Sequence, residues 1–237
     1  MASTVLSVNG LSWSTTRNSD NLPPLCDPSL SFVEEYNAYY LNRSVTDENK
    51  VIYLTFDAGY ENGNIERILN TLRDHNAPAA FFILDNLVIR NTDLVKRMID
   101  EGHLVCNHTA KHPDMSTKDS AAFEAELKKM EDIYKQYIGT EISRYYRPPE
   151  GKFSRDNLAT AQRLGYKTVF WSFAYADWDN SNQPTEEYAI KKIADNTHNG
   201  MIILLHPTSS TNASILDRVL TAWESEGYRF GKLDELK

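Results

Sequence analysis

From Val51 onward the chain alternates between two patterns of apolar residues. Short, almost wholly apolar runs occur at residues 51–56 (VIYLTF), 79–84 (AAFFIL), 103–106 (HLVC), 144–147 (RYYR), 168–171 (TVFW), 201–206 (MIILLH) and 228–230 (YRF). Between them, apolar residues recur at the three- and four-residue spacing of an amphipathic helix. In NIERILNTLRDH that spacing puts Ile65, Ile68, Leu69 and Leu72 on one face, and LVKRMIDEG repeats it before stopping at Gly102. A longer helix is expected to open at Ser116 and close at Gly139; SRDNLATAQRLGY, PTEEYAIKKIADN and SILDRVLTAWESEGY complete the series. Strand-like runs separated by helices predict a parallel sheet with helical crossovers. Runs that are apolar throughout predict strands buried on both faces. The expected fold is α/β: a single deformed (β/α) barrel with about seven parallel strands.

The start of the chain follows neither pattern. Residues 1 to about 30 are rich in Ser, Asn, Pro and Asp and read as a tail or a strap over the outside of the domain. FVEEYNAYYL, from Phe32, reads as a short helix ahead of the main fold. The expected division is an N-terminal extension over residues 1–48 and one domain over 49–237, a length that one barrel fills.

Charge and composition narrow the partners. The net charge of −8 argues against nucleic acid or an anionic membrane surface. No run of 18 apolar residues exists, so no transmembrane segment is expected. MASTVLSVNGLSWSTTR lacks the basic start and continuous apolar stretch of a signal peptide. Two cysteines, Cys26 and Cys106, make no disulfide framework, and Cys106 reads as a small buried hydrophobe.

Polar chemistry collects at the ends of the strand runs, where parallel barrels carry their function. Asp57 ends the first run, His108 follows the third, and His112 comes four residues later. Arg147 ends the fourth, Asp177 follows the fifth and His206 ends the sixth. Two His at this spacing face one metal if the residues between them make a helical turn, and neutral imidazole suits Zn, Fe, Co or Ni. A surface pair ahead of a helix has the same spacing, so the spacing alone leaves both open. Arg147, stiffened by Pro148 and Pro149, offers a fork of donors to Asp57. Glu150 and Gly151 offer backbone N–H groups to an oxyanion. Asp177 bonded to His206 would fix the tautomer and raise the pKa of an acid. Leu204 is a candidate apolar wall; Trp178 is either core filler or the side of a pocket.

The strings TFDAG, HTAKH, RPPEG, DW and LLH, in this order, resemble the five motifs of NodB-like polysaccharide deacetylases, from about Val51 to the C-terminus. LTFDAGYENG, EGHLVCNHTAKHPDMS, YYRPPEGKFS and RLGYKTVFWSFAYADW are most similar to the N-deacetylases of spore-forming bacteria that make muramic δ-lactam in the spore cortex. The resemblance implies Asp57 as general base held by Arg147, and His206 as general acid supported by Asp177. It implies His108 and His112 as ligands of a divalent metal, zinc first, with Co, Ni or Mn as alternatives. It places Tyr60, Glu150, Gly151, Trp178 and Leu204 about the substrate. Peptidoglycan glycan strands would be the partner of a monomer that is exported or associated with the envelope or spore.

One position departs from the family pattern. A second Asp, a metal ligand, is usual where this chain has Ala58, although the δ-lactam group itself departs from Asp here. A methyl cannot coordinate, so a water, Glu61 or Asn62 would fill the place, or the site would be weak. The implied reaction is removal of acetyl from N-acetylmuramic acid. Deacetylation of N-acetylglucosamine, chitin oligomers or acetyl-xylan is the neighbouring reading, and a glycan-binding homologue without turnover rests on Ala58. A glycosidase using Asp57 and Asp177 is a third class.

Overall fold

The computed structural model describes residues 10–18 and 21–236. The first nine residues of the N-terminal extension, residues 19 and 20, and Lys237 lie outside the described residues.

The chain opens with β1 (Leu11–Ser12), β2 (Thr15–Thr16), β3 (Leu25–Cys26), a 3-10 helix (Pro28–Tyr36) and β4 (Ala38–Tyr39). It continues through β5 (Val51–Ala58), α1 (Asn64–Asp74), β6 (Ala79–Ile83), α2 (Asp85–Arg90), α3 (Thr92–Asp100) and β7 (Leu104–Asn107). Then come α4 (Ser120–Ile138), β8 (Ser143–Tyr146), β9 (Lys152–Phe153), α5 (Arg155–Arg163), β10 (Lys167–Val169) and β11 (Phe173–Ala174). The last elements are α6 (Glu186–Ala194), β12 (Met201–Leu205), α7 (Ser210–Ser225) and β13 (Arg229–Phe230).

Among the described residues, nine strands make one parallel sheet in the order β11-β12-β5-β6-β7-β8-β10-β4, with β13 on the start of β5. It curls into a half-barrel carrying helices outside. β5 shows why. Its side chains alternate between faces: Ile52, Leu54 and Phe56 pack outward with Ile65, Ile68, Leu69 and Leu72 of α1, while Val51 and Tyr53 join Ala80, Phe82 and Ile202 inside. The same alternation turns Asp57 inward and puts Ala58, fully buried, into the outer apolar cluster.

Several expectations shift. Nine strands replace about seven, because the fifth run splits into β10 and β11 and because β4 pairs in parallel with β10. The short helix expected from Phe32 is a 3-10 helix that Asn37 stops in a left-handed conformation (φ 54°). The long helix starts at Ser120, since Asp119 caps it by accepting from Ala122 N at 2.8 Å; it ends at Gly139 as expected (φ 90°). α2 has only six residues, too few to show a period.

The sheet is open between β11 and β4. Across that seam Asn42 N donates to Gly200 O at 2.9 Å. A Cβ on Gly200 would lie 2.1 Å from that Asn42 carbonyl oxygen, so the seam requires glycine (φ 78°). Cys26 and Cys106 are both free, with Cys106 in the inner core. No helix among the described residues is long and apolar enough to cross a membrane.

Candidate active site

The centre of the site is a buried ion pair at the ends of β5 and β8. Arg147 is fully buried, and its guanidinium donates to Asp57 Oδ1 (2.7 Å), Thr55 Oγ1 (2.8 Å), Val169 O (2.9 Å) and Phe170 O (3.2 Å). It lies 4.2 Å above the Phe82 ring. Burial alone would raise the pKa of Asp57. The Arg147 guanidinium, with His108 and His206 nearby, outweighs it and holds the carboxyl below its ordinary 3.8. Asp57 is therefore an ionised base with a fixed orientation.

His108 follows β7 and is almost wholly buried. Its Nδ1 donates to Arg147 O at 2.8 Å, because a carbonyl can only accept. Nε2 is left facing Asp57 Oδ2 at 3.5 Å. Desolvation lowers the His108 pKa to about 4, so the ring is neutral and Nε2 carries a lone pair. His112 stands edge-on, ring centroids 5.0 Å apart. The turn between the two histidines is not helical: Thr109 (φ 72°) and His112 (φ 57°) are both left-handed. Such a backbone is costly for a β-branched residue. It is held by Glu126 of α4, whose Oε1 accepts from the N–H of Ala110 (3.2 Å) and Lys111 (3.3 Å). Lys111 adds an ion pair to Asp85 at 2.8 Å.

The acid side is built from three distant segments. Asp177 is fully buried; its Oδ1 accepts from His206 Nδ1 at 2.7 Å, and its Oδ2 from His206 N (2.8 Å) and Asn212 Nδ2 (2.6 Å). His206 Nε2 is thereby left toward the cavity. Burial would lower its pKa, but the bond and charge of Asp177, helped by Asp57, raise it above 6.5. Asp177 sits behind His206, where it cannot flank a glycosidic bond, and this removes the two-carboxylate glycosidase.

These groups meet at a cavity of about 740 Å³ lined by Asp57, His112, Glu150, Trp178, Leu204 and His206. Trp178 is 63% exposed on its rim. Of the residues expected about the substrate, Tyr60 does not line it; its hydroxyl oxygen, on a half-exposed side chain, accepts instead from Asn180 Nδ2. Gly151 donates its N–H to Pro148 O (3.0 Å), which leaves the N–H of Glu150 as the available donor of that pair. Glu61 turns back onto Gly63 N and lines a separate depression, while Asn62 donates to Thr208 O at 2.8 Å. Neither fills the place opened by Ala58.

Trp171, Tyr175 and Asn212 were not singled out from the sequence. Trp171 and Tyr175 line the cavity. Tyr175 also donates to Asn212 Oδ1, the residue that steadies Asp177. Trp171 was visible as the end of an apolar run; Asn212 gave no signal. The N-terminal segment reaches the site too, since Trp13 donates from N to Gly151 O (2.8 Å) and from Nε1 to Trp171 O (2.9 Å).

Neutral imidazole is the form of histidine that binds a divalent metal, and His108 shows the fit directly. Its Nε2 lone pair faces a carboxylate oxygen with no proton between them, an opposition that a cation relieves. Orientation of the other ring nitrogen by a carbonyl is the usual support for a ligand. Among the described residues, no three His, Cys, Asp or Glu side chains are arranged to hold an ion. The donor set fits in kind and falls short of the three protein ligands usual for catalytic zinc.

The sequence pattern of the polysaccharide deacetylase family matches residues 44–169. The peptidoglycan-N-acetylmuramic acid deacetylase PdaA of Bacillus subtilis is 40% identical over 228 residues, covering 95% of this chain and 85% of its own. Its solved structure, a family 4 carbohydrate esterase, superposes with a TM-score of 0.91 at 38% identity over 98% of both chains. The peptidoglycan-N-acetylglucosamine deacetylase PgdA of Listeria monocytogenes is 35% identical over 191 residues, 79% of this chain and 39% of its own. A family 4 pseudoenzyme from Bacillus anthracis superposes with a TM-score of 0.75 at 27% identity, over 84% of this chain and 68% of its own.

Proposed function

The chain belongs to the polysaccharide deacetylase family, metal-dependent hydrolases of the amide C–N bond, and from that premise we propose that it removes the acetyl group of N-acetylmuramic acid in peptidoglycan. The observation that carries this reading is one cavity lined by both an ionised carboxylate and a raised-pKa imidazole. Asp57 lies below its ordinary pKa and His206 above its own. In amide hydrolysis a water must lose a proton as it adds to the carbonyl carbon, and the amine nitrogen must gain one as the C–N bond breaks.

In this reading Asp57, fixed by Arg147, takes the proton of the attacking water. His206, through Nε2, protonates the departing amine, and Asp177 keeps the imidazolium stable. The Glu150 N–H receives the oxyanion; Leu204 and Trp178 enclose the acetyl methyl, with Tyr175 beside them. His108 and His112 would hold the divalent metal, zinc in the first instance, which when bound polarises the carbonyl and acidifies water. We place the domain over residues 49–237 with residues 1–48 as an extension. Its substrate is a wall polymer, so we assign it an exported or envelope- or spore-associated location, and we take it to act as a monomer.

Acetate release from peptide-stripped glycan strands, set against chitin oligomers, is the test. Preference for the muramic strands supports the reading, and equal or greater turnover of chitin oligomers replaces it with a glucosamine deacetylase. Ala58 and the two-imidazole donor set favour one second reading, a glycan-binding protein without turnover. Strand binding with no acetate released at saturating Zn²⁺ would establish that one.

A further inference from the structure

A second cavity adjoins the first. It holds about 330 Å³ between the Trp13–Asn18 stretch, residues 171–174 and the end of α6. Trp171 and Ala174 line both cavities, so the two share a wall.

The two differ in charge. Asp57 and Glu150 line the catalytic cavity; Arg17 and Lys192 line the second. Arg17, an exposed side chain, donates from Nη2 to the backbone carbonyl of Asp195 at 2.9 Å, and its charge, like that of Lys192, also acts on the Asp195 carboxylate. The Asp195 carboxylate, also in the wall, pairs with Lys191 at 2.7 Å. Among the described residues neither Arg17 nor Lys192 lies within ion-pair distance of a carboxylate, although Lys192 is half-buried. With two cations, Arg17 and Lys192, against one carboxylate, Asp195, the wall keeps a positive balance in a chain of net charge −8.

We propose that this cavity is a distal subsite that binds a carboxylate of the same glycan strand. The inference rests on the peptidoglycan reading above. In that polymer a muramic residue recurs at every second sugar, each bearing a lactyl group. A strand with one such sugar in the catalytic cavity carries further carboxyl groups along its length. Arg17 and Lys192 supply the charge-assisted hydrogen bonds such a group requires. The carboxylate comes either from a peptide-free lactyl group or from the end of a stem peptide.

The test is the double variant Arg17→Gln with Lys192→Gln, compared with wild type on peptide-free strands, on strands keeping stem peptides two sugars from the reacting unit, and on neutral chitin oligomers. Both side chains are remote from the reacting atoms, so kcat is expected to hold while KM for the acidic strands rises about five- to twentyfold. The effect is expected to shrink in high salt, and binding of chitin oligomers to stay unchanged. The strand type that loses affinity identifies the carboxylate. An unchanged KM on both acidic strands overturns the subsite. If wild type releases no acetate, the hydrolase reading fails by itself, and calorimetric binding of the same strands then decides the subsite. Weaker binding by the variant upholds it; equal binding ends it.

Discussion

The carbonyl oxygen of Arg147 accepts the Nδ1 proton of His108 at 2.8 Å. The residue that orients the carboxylate of Asp57 through its guanidinium thus orients the nearest imidazole through its backbone. Base and metal-facing nitrogen are referenced to one point at the end of β8.

Arg147→Lys separates the two roles. Lysine keeps the carbonyl and loses the fork that four acceptors share. Breaking a buried, fully bonded charge of this kind costs about 3–5 kcal/mol of stability. With Asp57 no longer fixed, kcat is expected to fall about 100-fold, while the Kd for Zn²⁺ stays within about threefold because His108 keeps its partner. Calorimetry beside steady-state kinetics reads both. A metal affinity that collapses with kcat refutes the backbone role.

The proposed mechanism needs Asp57 ionised and His206 protonated. Asp57 is held below 3.8 and His206 above 6.5, so the rate is expected to be flat between, falling on the acid side as Asp57 protonates and on the alkaline side as His206 deprotonates. Asp177→Asn removes the carboxylate that raises His206 and leaves the burial that lowers it. The alkaline limb should then move down by about one pH unit or more. A pH–rate profile with its alkaline limb unmoved rules out His206 as the acid.

Much of this site was legible because it hangs on strand ends. Asp57, Arg147 and His206 close apolar runs, and the alternation Tyr53, Thr55, Asp57 already fixes which face they share. What stayed hidden depends on contacts distant in sequence. β4 exists because Ala38 and Tyr39 pair with residues 168 and 169; Asn212 matters because it meets Asp177, 35 residues earlier. The shape of the 108–112 turn was not legible because spacing reports distance along the chain, and Thr109 and His112 are both left-handed rather than helical. Tyr60 was expected at the substrate from its neighbours in the motif, yet its hydroxyl meets Asn180 outside the cavity wall.

That left-handed turn depends on Glu126, which accepts two of its N–H groups. Glu126→Ala should let Thr109 and His112 relax toward ordinary backbone and weaken Zn²⁺ binding about 10-fold or more. Glu126→Gln keeps an acceptor oxygen and should lose less. Calorimetric titration of the apo proteins measures the order wild type, Gln, Ala. Equal affinities in all three would show that the turn holds its shape without the clamp.

Ala58 is fully buried in the outer apolar cluster with Ile83, Leu87 and Ala110, on the strand face opposite to Asp57. Ala110 belongs to the histidine turn and to the same cluster, so a longer side chain at 58 is rooted in apolar surroundings. In apo protein, Ala58→Asp buries a carboxyl without a partner, costing about 1–3 kcal/mol, a fall of roughly 3–10 °C in Tm at this chain length. A cation that the new carboxylate reaches reverses the penalty, and at a concentration 100 times its Kd it returns about 2.7 kcal/mol by mass action. Added Zn²⁺ should therefore raise the Tm of Ala58→Asp more than that of wild type, with tighter binding in calorimetry. Identical metal-dependent shifts in the two proteins would mean that position 58 faces the helices alone, and that any cation here is held by His108 and His112 without help from this strand.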